Sequence, residues 1–255
     1  MEIGLAIIFL LLGTAIGSFL NVVVDRLPVG GSVLSPGSHC DACERRLAPA
    51  DLIPVVSYLA LRGRCRYCNS PVPRRILWVE LGTGLVFLGL YLYLGLVSFL
   101  AVAALYSCFF IALLVIDLER GILPNSLVYP GMVAALFLSP FFLHQQDALH
   151  NIASAVIGGL VGFGLFLVIA LVSRGGMGEG DIKMAGFVGL ATGFPGVLAA
   201  LFIAILLGGL VAVALLVFKL RRTGQTVPFG PFLSAGAILA LLFGPAIINW
   251  YLNLF

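Results

Sequence analysis

Long apolar runs separated by short polar stretches dominate the chain, and they set the first expectation about its fold. Several windows of about 17 to 25 residues are apolar almost throughout, which is the length that crosses the roughly 30 Å hydrocarbon core of a bilayer. Reading these runs against glycine, proline and charged breakers predicts eight spans, near residues 3–24, 76–95, 98–116, 127–143, 152–172, 184–195, 197–218 and 230–254. The pattern therefore predicts an all-α polytopic membrane protein with about eight transmembrane helices.

One polar segment between the first two spans is long enough to form a small structure of its own. It divides the sequence into a first transmembrane helix at 1–24, an insert at 25–75 and a seven-helix membrane domain at 76–255. The first span has no basic residue ahead of its apolar run, and that run is too long for the core of a signal peptide. We therefore expect this span to be retained in the membrane.

The composition supports a membrane protein and gives no reason to expect nucleic acid binding. The chain is 61% hydrophobic and 10% charged, with a mean hydropathy of +1.16, far from the average of soluble domains. Its net charge is only +3, and basic residues do not interleave with aromatic ones. We expect the chain to be surrounded by membrane lipid.

The basic residues indicate how the spans are oriented. All 14 Lys and Arg residues fall in the insert and in the loops 117–126, 173–183 and 219–228, with eight of them in the insert. Eight spans bring these four segments to one side of the membrane. Because cytoplasmic loops carry an excess of Lys and Arg, we expect the N-terminus outside and these segments in the cytoplasm.

Two glycine pairs indicate where helices pack closely. Gly13 and Gly17 lie four residues apart in the first span, and Gly158 and Gly162 do so in the fifth. Small residues at this spacing let helix backbones approach each other in lipid. We expect both pairs to lie at helix contacts.

Two aspartates that are remote in sequence fall on the same predicted membrane face. Asp117 follows the third apolar run, and Asp181 lies in GMGEGDIK before the sixth. Ionisable groups at membrane depth are costly and indicate a function by default. Two close carboxylates can share one proton, so that the acid polarises a carbonyl while the carboxylate activates water. The open alternative is a pair of ordinary interfacial or helix-capping aspartates.

Four sequence blocks, in order, carry a resemblance to a known family. They are GSFLNVVVDRLP at 17–28, IDLERGILPN at 116–125, GEGDIK at 178–183 and PFGPFLSAG at 228–236. The chain resembles the type IV prepilin peptidases, GxGD aspartyl membrane proteases that remove the leader from prepilins and pseudopilins. The resemblance implies Asp117 and Asp181 as the catalytic pair.

One residue departs from the family pattern and leaves Asp117 as the only aspartate of the first motif. Many members carry a second aspartate after the Leu-Pro of the first motif, where this sequence has Asn125. An asparagine cannot hold a shared proton, so the catalytic role rests on Asp117. Glu119 and Glu179 are near enough to remain rivals. For Glu80, at the start of the second span, we expect either an interaction with an arginine of the insert or a plain interfacial position.

Four cysteines in the insert predict a structural zinc site. Cys40 and Cys43, then Cys65 and Cys68, form two C-x2-C pairs separated by 21 residues, the spacing of a zinc ribbon. Disulfides are disfavoured because the insert is predicted to be cytoplasmic, and a small insert gains folding energy from a bound ion. His39 is a less favoured alternative ligand.

The resemblance extends to this insert and implies a second activity. Larger bacterial members carry the tetracysteine domain and also N-methylate the newly exposed amino terminus with S-adenosylmethionine. No strand followed by a glycine-rich loop appears in the sequence, so no residue is assigned to that activity.

These observations together predict a function and leave two alternatives. We expect an intramembrane-type aspartyl endopeptidase of the bacterial inner membrane that serves type IV pili or type II secretion. It would cut a prepilin or pseudopilin helix at its cytoplasmic edge, after a short basic leader. The lack of HExxH, and of cytoplasmic histidines other than His39, disfavours metalloproteases and Ser-His proteases. The alternatives are an ion-coupled transporter using Asp117 and Asp181, and a non-enzymatic pilus assembly factor.

Overall fold

The computed structural model describes residues 2–141, 147–173, 177–218 and 228–253. These residues form nine α-helices, three short 3-10 helices and, in place of strands, two isolated β-bridges. The chain divides into two compact units, Met1–Leu96 and Val97–Phe255. The α-helices are α1 (Glu2–Arg26), α2 (Val56–Ala60), α3 (Arg74–Leu94), α4 (Ser98–Arg120), α5 (Asn125–Leu138), α6 (Ala148–Val172), α7 (Glu179–Thr192), α8 (Gly196–Val217) and α9 (Gly230–Leu252).

A helix lies at each of the eight predicted spans, which confirms the all-α polytopic class. Within the described residues, six helices are long and apolar enough to cross a membrane: α1, α3, α4, α6, α8 and α9. The other two, α5 and α7, have 14 residues each. Fourteen residues rise about 21 Å, less than the roughly 30 Å of the hydrocarbon core. Arg174 and Lys219 to Arg222, four of the basic residues used for the predicted orientation, lie outside the described residues.

The first unit is built on a close contact between α1 and α3. A Cβ added at Gly13 would lie 2.8 Å from Gly84 Cα, and one added at Gly17 would lie 2.8 Å from Glu80 Cα. The two backbones therefore touch, which confirms the packing role predicted for this glycine pair. The insert connects these helices, and it contains the single-turn helix α2.

The second unit packs α6 against α7, and α9 against α4, α7 and α8. A Cβ at Gly158 would clash with the backbone of Gly189, and one at Gly162 would clash with that of Ala185. The second predicted glycine pair is thus also confirmed. Between α4 and α7, the rings of Phe110 and Phe187 stack with centroids 4.7 Å apart, so an aromatic contact joins the middles of the two helices.

Candidate functional site

Asp117 lies in the last turn of α4 and is almost fully buried. The helix ends where Gly121 adopts a left-handed backbone, with φ of 64°, and its N–H donates to the Asp117 carbonyl at 2.9 Å. The Asp117 side chain is only 4% exposed. Its Oδ2 has no hydrogen-bond partner among the described residues. A buried carboxyl oxygen without a donor is costly, and it indicates a group kept for its chemistry.

Gly230, the first residue of α9, provides the space that Asp117 occupies. A Cβ added at Gly230 would lie 2.6 Å from Asp117 Oδ2 and 3.1 Å from its Cγ. Any side chain at this position would displace the carboxyl group. The sequence block PFGP contained this glycine, but sequence reasoning assigned it no role.

Asp181 lies in the first turn of α7 and is half-buried. Its N–H donates to the Gly178 carbonyl at 3.1 Å. Burial, and then the neighbouring charge of Asp117, raises the pKa of Asp181 to about 6. The two aspartates are therefore close enough for their charges to interact, although 64 positions separate them in the sequence.

Leu123, in the loop between α4 and α5, lies against both sides of this site. A Cβ at Gly180 would lie 3.0 Å from Leu123 Cβ, and one at Gly230 would lie 3.1 Å from Leu123 Cδ2. The leucine thus contacts the residue before Asp181 and the residue that borders Asp117. Sequence reasoning did not identify it, because a leucine in an apolar chain gives no signal of its own.

The glutamates considered as rivals have different surroundings. Glu119 is exposed. The Glu179 side chain is 81% exposed, and its Oε1 lies 2.6 Å from Lys183 Nζ. The hydrogen bond and charge of Lys183 lower the pKa of Glu179, so this group stays ionised and is unsuited to holding a shared proton. Asn125 Oδ1 accepts from the same Lys183 Nζ at 3.5 Å.

The four predicted metal ligands come together in the first unit. Their sulfur atoms all lie within 4.8 Å of one another, and Cys40 Sγ is 3.8 Å from Cys68 Sγ. Zinc–sulfur bonds of about 2.3 Å in a tetrahedron require sulfurs about 3.8 Å apart, so the cluster could hold a metal ion. None of these cysteines forms a disulfide. His39 is not part of the cluster, and its Nδ1 lies 3.1 Å from the Gly37 carbonyl.

The two cysteine turns have the same shape. In each, the residue after the second cysteine has a positive φ, 55° at Glu44 and 60° at Asn69. Each turn is closed by an antiparallel bridge, His39 with Arg46 and Arg64 with Pro71. The Ser70 hydroxyl, 3.5 Å from Cys40 Sγ and 3.1 Å from Cys68 Sγ, lowers the pKa of both thiols. Lower pKa values favour the thiolate form that metal ions bind.

Comparison with known proteins gives the family of the chain. The bacterial peptidase A24 N-terminal domain matches residues 11–94, and the type IV leader peptidase family matches residues 104–213. A Bacillus subtilis (strain 168) protein named prepilin leader peptidase/N-methyltransferase is 32% identical over 253 residues, which cover 98% of each chain. The chain belongs to the type IV leader peptidase family.

Other members of the type IV leader peptidase family carry the same name. The Aeromonas hydrophila protein is 30% identical over 94% of this chain and 91% of its own, and the Pseudomonas aeruginosa protein is 31% identical over 96% and 92%. The resemblance inferred from the four sequence blocks is thus confirmed. The two family matches fall one in each compact unit. No solved structure matches the chain.

Proposed function

We propose that this member of the type IV leader peptidase family cleaves the leader from prepilins or pseudopilins, with Asp117 and Asp181 as its catalytic pair. The supporting observation is the buried carboxyl of Asp117, whose charge acts on Asp181 and helps to raise the pKa of Asp181 to about 6. A carboxyl whose pKa is shifted by burial and by a neighbouring carboxyl is a candidate for acid–base catalysis.

The chemistry follows from two carboxyls that share one proton. The protonated member donates a hydrogen bond to the oxygen of the scissile carbonyl, and the ionised member takes a proton from a water molecule. The resulting hydroxide adds to the carbonyl carbon, and the tetrahedral intermediate collapses when the leaving nitrogen receives a proton. With a pKa of about 6, Asp181 exchanges its proton readily near neutral pH.

The substrate that suits this site is a single apolar helix preceded by a short basic leader. The basic residues of the chain support an N-terminus outside and a site at the cytoplasmic face. Both aspartates lie at helix ends, Asp117 in the last turn of α4 and Asp181 in the first turn of α7. Cleavage would then fall where the substrate helix leaves the bilayer, with water supplied from the cytoplasm.

A second activity, N-methylation of the new amino terminus, is carried by the names of the relatives. S-adenosylmethionine would supply the methyl group. In this proposal, 25–75 is a cytoplasmic domain in which Cys40, Cys43, Cys65 and Cys68 hold a structural zinc ion. Residues 1–24 form the first transmembrane helix, and 76–255 form the seven-helix protease domain.

The proposal is tested with purified protein in detergent and a prepilin-like peptide. Mass spectrometry follows loss of the leader and gain of a methyl group when S-adenosylmethionine is added. Asp117→Ala and Asp181→Ala should each reduce cleavage by roughly 10⁴-fold or more, while both still methylate a peptide supplied without its leader. Glu179→Ala, which removes an exposed carboxylate, should cleave normally. Full cleavage by either aspartate variant would overturn the assignment.

A further inference from the structure

A cavity in the first unit lies apart from the residues proposed for peptide cleavage. Its volume is about 680 Å³, within the range of about 300 to 1,000 Å³ typical of small-molecule sites. The end of α1, the start of α3 and the insert form its walls, and neither Asp117 nor Asp181 lines it. The lining includes Asn21, Tyr58 and Glu80, together with two members of the cysteine cluster, Cys40 and Cys65.

Glu80 is a buried acidic residue of the cavity lining. Its side chain is only 4% exposed, and its Oε2 accepts the N–H of Val55 at 2.7 Å. No cation pairs with it in the described part of the chain. Neither role predicted from the sequence therefore holds, since Glu80 is buried and its partner is a backbone N–H. Buried charges are normally paired, so a cationic ligand would remove an energetic cost.

Three arginines near Glu80 in sequence or in the cavity lining have partners, and Arg64 lines the cavity as well. Arg75 lies 2.8 Å from Asp25, and Arg66 lies 2.6 Å from Asp51. Arg26 donates to backbone carbonyls of the insert. The two ion pairs use the carboxylates of Asp51 and Asp25, which line the cavity together with Asp41 and Glu80.

The position of Glu80 is fixed from two sides. Its Cα is in contact with α1 at Gly17, and its carboxylate holds Val55 at a φ of 62°, a backbone conformation that is strained for a β-branched residue. Asn21 adds a second acceptor. Its Nδ2 donates to the carbonyls of Gly17 and Ile76, and its Oδ1 has no partner among the described residues. Both Glu80 and Asn21 line the cavity.

We propose that this cavity binds the sulfonium methyl donor of the N-methylation reaction, with the Glu80 carboxylate facing the positive sulfur. The inference rests on the proposed methylation activity and gives it a location. During transfer, the free amine of the cut substrate bonds to the methyl carbon, the sulfur–methyl bond breaks, and the amine loses a proton. The sulfur leaves as a neutral thioether. Glu80 therefore favours the donor over the spent product, which promotes product release.

The test measures binding without catalysis. Isothermal titration of the full chain in detergent, with no peptide present, gives dissociation constants for S-adenosylmethionine and S-adenosylhomocysteine, which differ by the charged sulfonium. Glu80→Gln keeps an acceptor for Val55 and should weaken S-adenosylmethionine binding on the order of tenfold to a hundredfold. Binding of S-adenosylhomocysteine should change little. Glu2→Gln, which removes an exposed carboxylate of α1, is the matched control and should bind both compounds as the wild type does.

A second variant covers the case in which Glu80→Gln does not fold. Val22 is half-buried and lines the cavity from α1. Val22→Trp places a large side chain in the cavity and should weaken the binding of both compounds. Normal leader cleavage by this variant shows that it is folded. Unchanged binding of both compounds by Val22→Trp would overturn the location.

The remaining outcomes separate this inference from the proposed function. If the wild type methylates a precut peptide while Glu80→Gln binds the donor normally, the proposed function stands and the inference is wrong. If Glu80→Gln binds the donor normally but loses methylation, Glu80 faces the acceptor amine and the donor assignment is overturned. If the wild type neither binds nor methylates, the methylation activity itself is wrong, and the inference falls with it.

Discussion

Gly230→Ala adds one methyl group next to the proposed catalytic pair. Gly230 does not have a positive φ, so alanine can adopt its backbone. The new Cβ would start 2.6 Å from Asp117 Oδ2, and the carboxyl would have to move by about 0.8 Å to reach an ordinary contact of 3.4 Å. A misplacement of about 1 Å at a catalytic group can reduce the rate on the order of a hundredfold, which corresponds to about 2.7 kcal/mol.

The assay compares kcat for leader cleavage in wild type and Gly230→Ala. We expect kcat for leader cleavage to fall about a hundredfold. The rate of methylation of a precut peptide and the melting temperature should both stay close to the wild-type values. Gly209→Ala, in α8 with no heavy atom within 4 Å of the added Cβ, is the control and should cleave normally. Wild-type cleavage by Gly230→Ala would refute the close packing of Asp117 against α9 as a requirement of catalysis.

Two further predictions concern the metal and the orientation of the chain. Cys65→Ser should release zinc, measured by elemental mass spectrometry, and should weaken S-adenosylmethionine binding because Cys65 lines the cavity. Cys108→Ser, which lies outside the cluster, should change neither property. Retention of zinc by Cys65→Ser would contradict the cluster. Both labelling variants are made in a Cys108→Ser background. A membrane-impermeant maleimide should label Asp147→Cys in intact cells, and should label Ser173→Cys only after permeabilisation. The reverse pattern would invert the proposed topology.

The lengths of the apolar runs predicted the long helices well, because crossing a bilayer constrains length and polarity together. The short helix α7 shows the limit of this signal. Its predicted start was residue 184, but the helix begins at Glu179. The charges of Glu179, Asp181 and Lys183 led to the prediction of a loop. Acidic side chains are, however, favourable in the first turn of a helix. The helix therefore carries Asp181 in its first turn, ahead of the fully buried segment that begins at Met184.

The candidate sites were predictable to different degrees. Cysteine spacing alone predicted the cluster, because two short knuckles fix the geometry of four thiols locally. Gly230 and Leu123 could not be predicted, since their importance comes from contacts between α4, α7 and α9 that the sequence does not encode as a local pattern. The role of Glu80 was also missed. Its partner, Val55, lies 25 positions away, in a part of the insert without regular periodicity.

In the proposed mechanism, Asp117 and Asp181 act as one unit. A double-mutant cycle tests this directly, with kcat for leader cleavage measured for Asp117→Asn, Asp181→Asn and the double variant. Residues that share one proton are strongly non-additive, so each single variant should lose cleavage as completely as the double variant does. Substantial cleavage by either single variant, or losses that multiply in the double variant, would contradict the account.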